Sequence, residues 1–148
     1  MATRSRIALK NNKGQYESIY CHYDGYVEHN GKMLKEHYNN FYKILGLISL
    51  GDISSLRQEV YIPENEVHTF DNPLKFDNPL KEVTVAYHRD RQEDLNNCTF
   101  NHLYDMVLHC YNEGEEFLYF YEGDKWFYIE INEVTVDKDY ISYKVKQL

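Results

Sequence analysis

Cysteine is scarce and without pattern. The chain has three, Cys21, Cys98 and Cys110, an odd number with no CxxC spacing. That excludes a disulfide framework and a cysteine-built zinc site, and leaves free thiols in a reducing compartment as the expectation. Long hydrophobic runs are missing as well. No apolar stretch approaches the ~18 residues a membrane-crossing helix needs, and none follows Met1–Arg6 as a secretory signal requires. Proline is confined to Pro63, Pro73 and Pro79, inside one segment. Neither common glycine-rich phosphate loop occurs, nor do HExxH or GxSxG. The seven histidines show no metal-ligand spacing, so neither a metal nor another cofactor is expected.

What is present is a globular composition. The chain has 148 residues, 43% hydrophobic and 27% charged, enough for one domain with its own core. The net charge is −8 and unevenly placed. Residues 1–60 hold eight basic and six acidic side chains, whereas residues 61–148 hold eight and eighteen. An acidic half repels phosphates and argues against general nucleic-acid binding. It leaves open a basic partner protein, mimicry of nucleic acid, or simple solubility. Fifteen Tyr, seven Phe and one Trp suit a tyrosine-rich sheet, with a minority free to stack on a base or peptide or to support self-association.

Residues Ile7–Leu9 and Ser18–Tyr23 alternate as strands around the turn Asn11-Asn12-Lys13-Gly14. In the second strand Tyr16, Ser18, Tyr20 and His22 share a face. Helical spacing follows at Met33, Leu34, His37, Tyr38 and Phe41, with Asn30 as a possible cap, and again at Phe41, Ile44, Leu45 and Ile48, ending at Gly51. Residues 57–82 read as an irregular loop carrying an exact tandem duplication, Phe70 to Lys75 and Phe76 to Lys81. Val83–Tyr87 reads as a strand. Phe100, Leu103, Tyr104, Val107, Leu108 and Tyr111 mark the clearest helix, capped by Thr99 or Asn97 and closed by Gly114. Phe117–Tyr121 and Trp126–Ile131 flank a hairpin turn, and Tyr140–Val145 adds a strand. The expected fold is a single α+β domain over 1–148, mainly an antiparallel sheet with about three helices on one face.

Chemistry is sparse. His68-Thr69-Phe70 matches only half of the paired motif of two-histidine phosphoesterases. Cys21 and His22, adjacent on a strand, point to opposite faces and cannot form a dyad. Cys98 and His102 share a helix face only if that helix starts early. If the chain is an enzyme, His22 is the acid/base of a small phosphodiester or nucleotide hydrolase, oriented by Asp24. The anion-binding candidates are Arg4, Arg6, Arg89 and Arg91, whose planar forks fit phosphate or carboxylate. Each pair points one way if its segment is a strand. If the two strands lie close, the four guanidiniums with Tyr20, His22 and Tyr26 line one ligand site. Ion pairing with the acidic C-terminal third is the structural alternative.

The segments Thr3-Arg4-Ser5-Arg6-Ile7, Ser18 to Tyr26, Asn30-Gly31, Leu34, His37-Tyr38 and Leu50 to Leu56 resemble a largely uncharacterised family of small proteins of tailed bacteriophages and prophages. Members read CHWDGYP where this chain has Tyr23 and Val27. Residues 76–79, 83–87, 89–91 and Tyr119 to Tyr128 extend the resemblance. It implies a setting rather than a reaction: the cytoplasm of an infected bacterium, and an accessory protein of counter-defence or host takeover. Such a protein sequesters a nucleotide signal or binds and inhibits a host protein; a virion or regulatory structural role is the further alternative.

Overall fold

The computed structural model describes residues 2–62, 68, 69, 71, 73 and 83–148. The tandem duplication lies largely outside the described residues. Strands β1 (Ser5–Lys10) and β2 (Tyr16–Cys21) form the expected hairpin. Its turn is held by Asn11, whose Oδ1 accepts from the amides of Lys13 and Gln15. Helices α1 (Lys32–His37) and α2 (Phe41–Ser49) follow. Asn40 separates them because its Oδ1 accepts from Tyr42 N at 2.8 Å, capping α2. Then come β3 (Ile53–Ser55), β4 (Val85–Ala86), α3 (Tyr87–Arg91), β5 (Cys98–Phe100) and α4 (Leu103–Glu113). The hairpin β6 (Phe117–Glu122) and β7 (Lys125–Glu130) turns through Gly123 and Asp124, both at positive φ. The chain ends with β8 (Thr135–Val136), β9 (Ile141–Ser142) and β10 (Lys146–Gln147).

The main sheet runs β10-β7-β6-β1-β2-β3-β4, with β5 beside the first half of β2. Pairing is antiparallel except for β1–β6 and β2–β3. The α+β class therefore holds. The helices, however, divide between both faces. Odd residues of β1, Ile7 and Leu9, pack with Ile19, Tyr119 and Trp126 against Leu34, Tyr38, Ile44 and Leu47 of α1, its C-cap and α2. On the other face, Ala8 packs with Leu118, Phe120 and Ile129 against Met106, Val107 and Cys110 of α4. β6 is apolar on both faces, Tyr119 and Tyr121 on one and Leu118 and Phe120 on the other, so a one-sided sheet would leave half of this core wet.

Local expectations fail where a side chain redirects the backbone. Tyr87–Arg91 is a helical turn rather than a strand, because the Asp90 carboxylate reaches back to the Ala86 amide at 2.7 Å. Asn30 is not a cap. It is fully buried inside a single π-turn, Val27–Gly31, where its amide donates to Ser5 Oγ at 3.2 Å. Thr99 belongs to β5, and α4 starts at Leu103 without a side-chain cap. Tyr140–Val145 does not continue the main sheet. Its Ile141–Ser142 pairs with β8, and only Lys146–Gln147 joins β7.

Tyr38 links the layers. It is fully buried, donates its hydroxyl to Arg57 O at 2.6 Å and accepts the Trp126 indole N–H on its carbonyl at 2.8 Å. Tyr38→Phe is expected to lower stability by about 1–2 kcal/mol, read by urea denaturation. A neutral outcome would show that Thr84 Oγ1, which also donates to the Arg57 carbonyl at 3.2 Å, satisfies it alone.

Candidate functional site

Strand alternation puts Arg4, Arg6, Tyr20 and His22 on the α4 face of the sheet, since Arg6 lies opposite Tyr20 and Ser5 opposite Cys21. The four have different fates. Arg6 is 4% exposed and its fork is already filled: Nε meets Glu115 Oε1 at 2.7 Å, a terminal nitrogen meets Oε2 at 2.9 Å, and the other donates to Ser18 Oγ at 3.0 Å. Ser18 Oγ in turn donates to Cys98 O at 2.8 Å. Burial works against the Arg6 charge, but the hydrogen bond and field of Glu115 outweigh it and raise the pKa. Arg6 is thus an internal bolt between β1 and Glu115, just past the Gly114 that closes α4, not a ligand-facing group.

Arg4 differs. Its backbone is tied to β6, with its amide donating to Glu116 Oε2 at 3.0 Å and its carbonyl accepting from Glu116 N at 2.8 Å. Its guanidinium has no carboxylate in ion-pair range among the described residues. It lies over Gly114, where a Cβ would come within 2.7 Å of an Arg4 terminal nitrogen. Gly114 is the αL residue that closes α4, at φ 70°. One glycine therefore ends the helix and makes room for the cation, which also faces the negative end of the α4 dipole.

Beside Arg4 stand Tyr20 and His22. Tyr20 Oη and His22 Nδ1 are 2.7 Å apart, a bond either partner can donate. Burial pushes the Tyr20 phenol up to about 12, against the pull of Arg4. Tyr20 is therefore a neutral hydrogen-bonding group at physiological pH, not a nucleophile. Beneath it, Asp52 Oδ1 accepts from Tyr20 N at 2.9 Å, filling the place in the β2 ladder between its partners β5 and β3. Burial raises the Asp52 carboxyl, while that amide and Arg6 hold it down. The expected His22–Asp24 pair is not made. His22 bonds Tyr20, and Asp24, at φ 57°, accepts from Tyr26 Oη at 3.3 Å. The left-handed turn at Asp24 carries its carboxylate off the strand face.

Next to this group, where β1 begins and α4 stops, lies an open cleft of about 520 Å³. Thr3, Tyr26, Tyr111, Gly114, Glu116 and Asn132 are among its walls. Tyr26 and Tyr111 are 38% and 46% exposed and provide free ring surface. Tyr26 is placed by its neighbours: Tyr119 Oη donates to Gly25 O at 2.6 Å, and Gly25 N donates to Thr3 O at 2.8 Å. Gly25 rests directly on β1, so a Cβ there would lie 2.8 Å from both Ser5 Cβ and Thr3 O. Gly25→Ala is expected to cost about 1–3 kcal/mol through overpacking and to displace the Tyr26 loop. A melting temperature equal to that of the parent chain would contradict this.

Arg89 and Arg91 do not join the cluster. They follow β4, three strands from β1, about 14 Å across the sheet at the usual strand spacing. Arg89 donates to the carbonyls of Val60 at 2.6 Å and Thr84 at 2.7 Å and pairs with Asp90 at 2.8 Å. Asp90 also lies 3.3 Å from the buried imidazole of His68, which contacts Thr84 O at 3.0 Å. Arg91 lies 3.6 Å from Glu93 on the surface. Two positions apart on a helix, the two arginines diverge. In place of the four-arginine pocket, the fold sets Arg4, Tyr20 and His22 on one face of the sheet, next to a cleft that Tyr26 lines. Tyr111, Gly114 and Glu116 line that cleft as well; Tyr111 was legible only as part of an apolar helix stripe, and Glu116 had no sequence signal.

Among the described residues no three metal-ligating side chains cluster, and no helix is long and apolar enough to cross a membrane. Compared with protein-family models, curated proteins and solved structures, the chain matches none.

Proposed function

We propose that this chain is a non-enzymatic binding protein that sequesters an anionic, aromatic small molecule of the nucleotide class. One observation carries the reading: the Arg4 guanidinium, unclaimed by any carboxylate among the described residues, lies against Gly114, which lines a cleft that two half-exposed tyrosines, Tyr26 and Tyr111, also line. A base stacks on such rings for about 1–3 kcal/mol, and a guanidinium adds a forked anion contact. Capture without turnover follows from the pairing of His22. Its Nδ1 partner is a phenol that holds its proton, not a carboxylate that would stabilise an imidazolium. The resemblance to phage proteins supports a role in the infected cell's cytoplasm, where removal of a nucleotide signal acts as counter-defence.

Calorimetry with linear and cyclic nucleotides tests this. Arg4→Gln should weaken binding at least tenfold, the scale of a charge-assisted hydrogen bond, and the bound nucleotide should be recovered chemically intact. Absence of heat with every nucleotide would reject the reading. A host protein retained by the acidic surface would then favour direct inhibition.

A further inference from the structure

The cleft holds a second polar feature that an anion alone does not explain. Glu116, exposed on its wall, uses Oε2 to accept the Arg4 amide at 3.0 Å, and its Oε1 has no hydrogen-bond partner among the described residues. Glu115 next to it is neutralised by Arg6 and buried, so it adds no free acceptor. The Asn132 amide lines the same cleft. A carboxylate repels phosphate and rewards paired N–H donors. An anion is thus favoured beside the cleft, where Arg4 lies against the lining residue Gly114, and a donor edge at its Glu116 wall, with Tyr26 and Tyr111 lining the same cleft.

Among nucleobases the edge that offers two adjacent donors is guanine's, N1–H with the exocyclic amine. A carboxylate accepts both, whereas adenine presents an unprotonated N1 to the same oxygen pair. Resting on the nucleotide reading above, we propose that this cleft is selective for guanine nucleotides, with Glu116 the specificity-determining residue and Arg4 the phosphate anchor. A site built to accept hydrogen bonds rejects a ligand lacking them, because its acceptor is then desolvated and unpaired.

The test is calorimetry on the full chain with three probes: guanosine, inosine and adenosine monophosphate. Guanosine monophosphate should bind about tenfold more tightly than inosine monophosphate, which lacks the amine, and more tightly still than adenosine monophosphate. Glu116→Gln keeps an acceptor for the Arg4 amide, so it should melt like the parent chain. It should also bring the guanosine and inosine affinities to within about twofold of one another. Arg4→Gln should weaken all three probes by a similar factor. Equal affinity for the guanosine and adenosine probes, or unchanged selectivity in Glu116→Gln, overturns the guanine assignment while the nucleotide reading stands. No binding of any probe overturns both.

Discussion

Glu115→Ala is expected to lower the unfolding free energy by about 3–5 kcal/mol, because it leaves the Arg6 guanidinium charged, buried and unpaired. Against a typical total of ~5–15 kcal/mol, that is a large share, and the melting temperature should fall by about 6–20 °C. The size follows from geometry. Both carboxylate oxygens are engaged by Arg6, and the third arm of the fork reaches Ser18 on the neighbouring strand. Losing the acid strands a cation between β1, β2 and the end of α4. Removing both partners is a different experiment. Arg6→Met with Glu115→Leu replaces an ion pair by apolar volume and should recover most of the loss. Urea denaturation of the two variants decides the matter; a Glu115→Ala loss below about 1 kcal/mol, the range of a solvated surface pair, would refute the buried-bolt interpretation.

The second large effect is alkaline. Cys21 is fully buried, and burial pushes its thiol from the ordinary 9.0 up to about 11. Tyr20 rises from 10.0 to about 12, again chiefly by burial. Tyr38 and Tyr119, both fully buried, are raised too, burial being the largest cause in each. A raised folded value means that folding favours the protonated form. The stabilisation is then complete below the unfolded value and is lost as pH rises toward the folded one. Stability should therefore hold to about pH 9 and fall steeply between pH 9 and 12, Cys21 alone accounting for about 2–3 kcal/mol. The tyrosine ionisation curve should be biphasic. The buried phenols of Tyr38 and Tyr119 should ionise together with unfolding. A single smooth ionisation with circular dichroism unchanged through pH 12 would show that these rings are solvated. Cys21→Ser offers a cross-check. It removes the thiol titration and should flatten the early part of the decline.

These two effects bear on the site as well. Arg6–Glu115 holds the start of β1 against the end of α4, and so keeps Arg4 over Gly114. Tyr119 holds Gly25 and thereby Tyr26. A variant that weakens either tie should lose ligand affinity even though it touches no ligand, which is why folding must be measured beside binding.

Much of the architecture was legible because it is written in local periodicity. The alternation of β1 and β2, the stripe of α4, the asparagine turn and the Gly114 stop all follow from how neighbouring side chains share a face or a φ value. Residue alternation puts Tyr20 with His22, and Arg4 with Arg6 if their segment is a strand; the β1–β2 register is what sets both pairs on one side of the sheet. Three things depended on contacts that no local pattern reports. The split of helices between two faces depends on which apolar surface meets which, and β6 is apolar on both. The helical turn at Arg89 depends on one carboxylate reaching one amide. The fate of each arginine depends on a partner distant in sequence: Glu115 lies 109 residues from Arg6, while no carboxylate claims Arg4 among the described residues. By itself, then, the sequence determined the elements, their polarity and the side chains a site can draw on. Tertiary structure alone decided which guanidinium is buried in an ion pair and which is left facing a cleft, because the charge neutralising a cation is supplied by whatever the fold brings beside it.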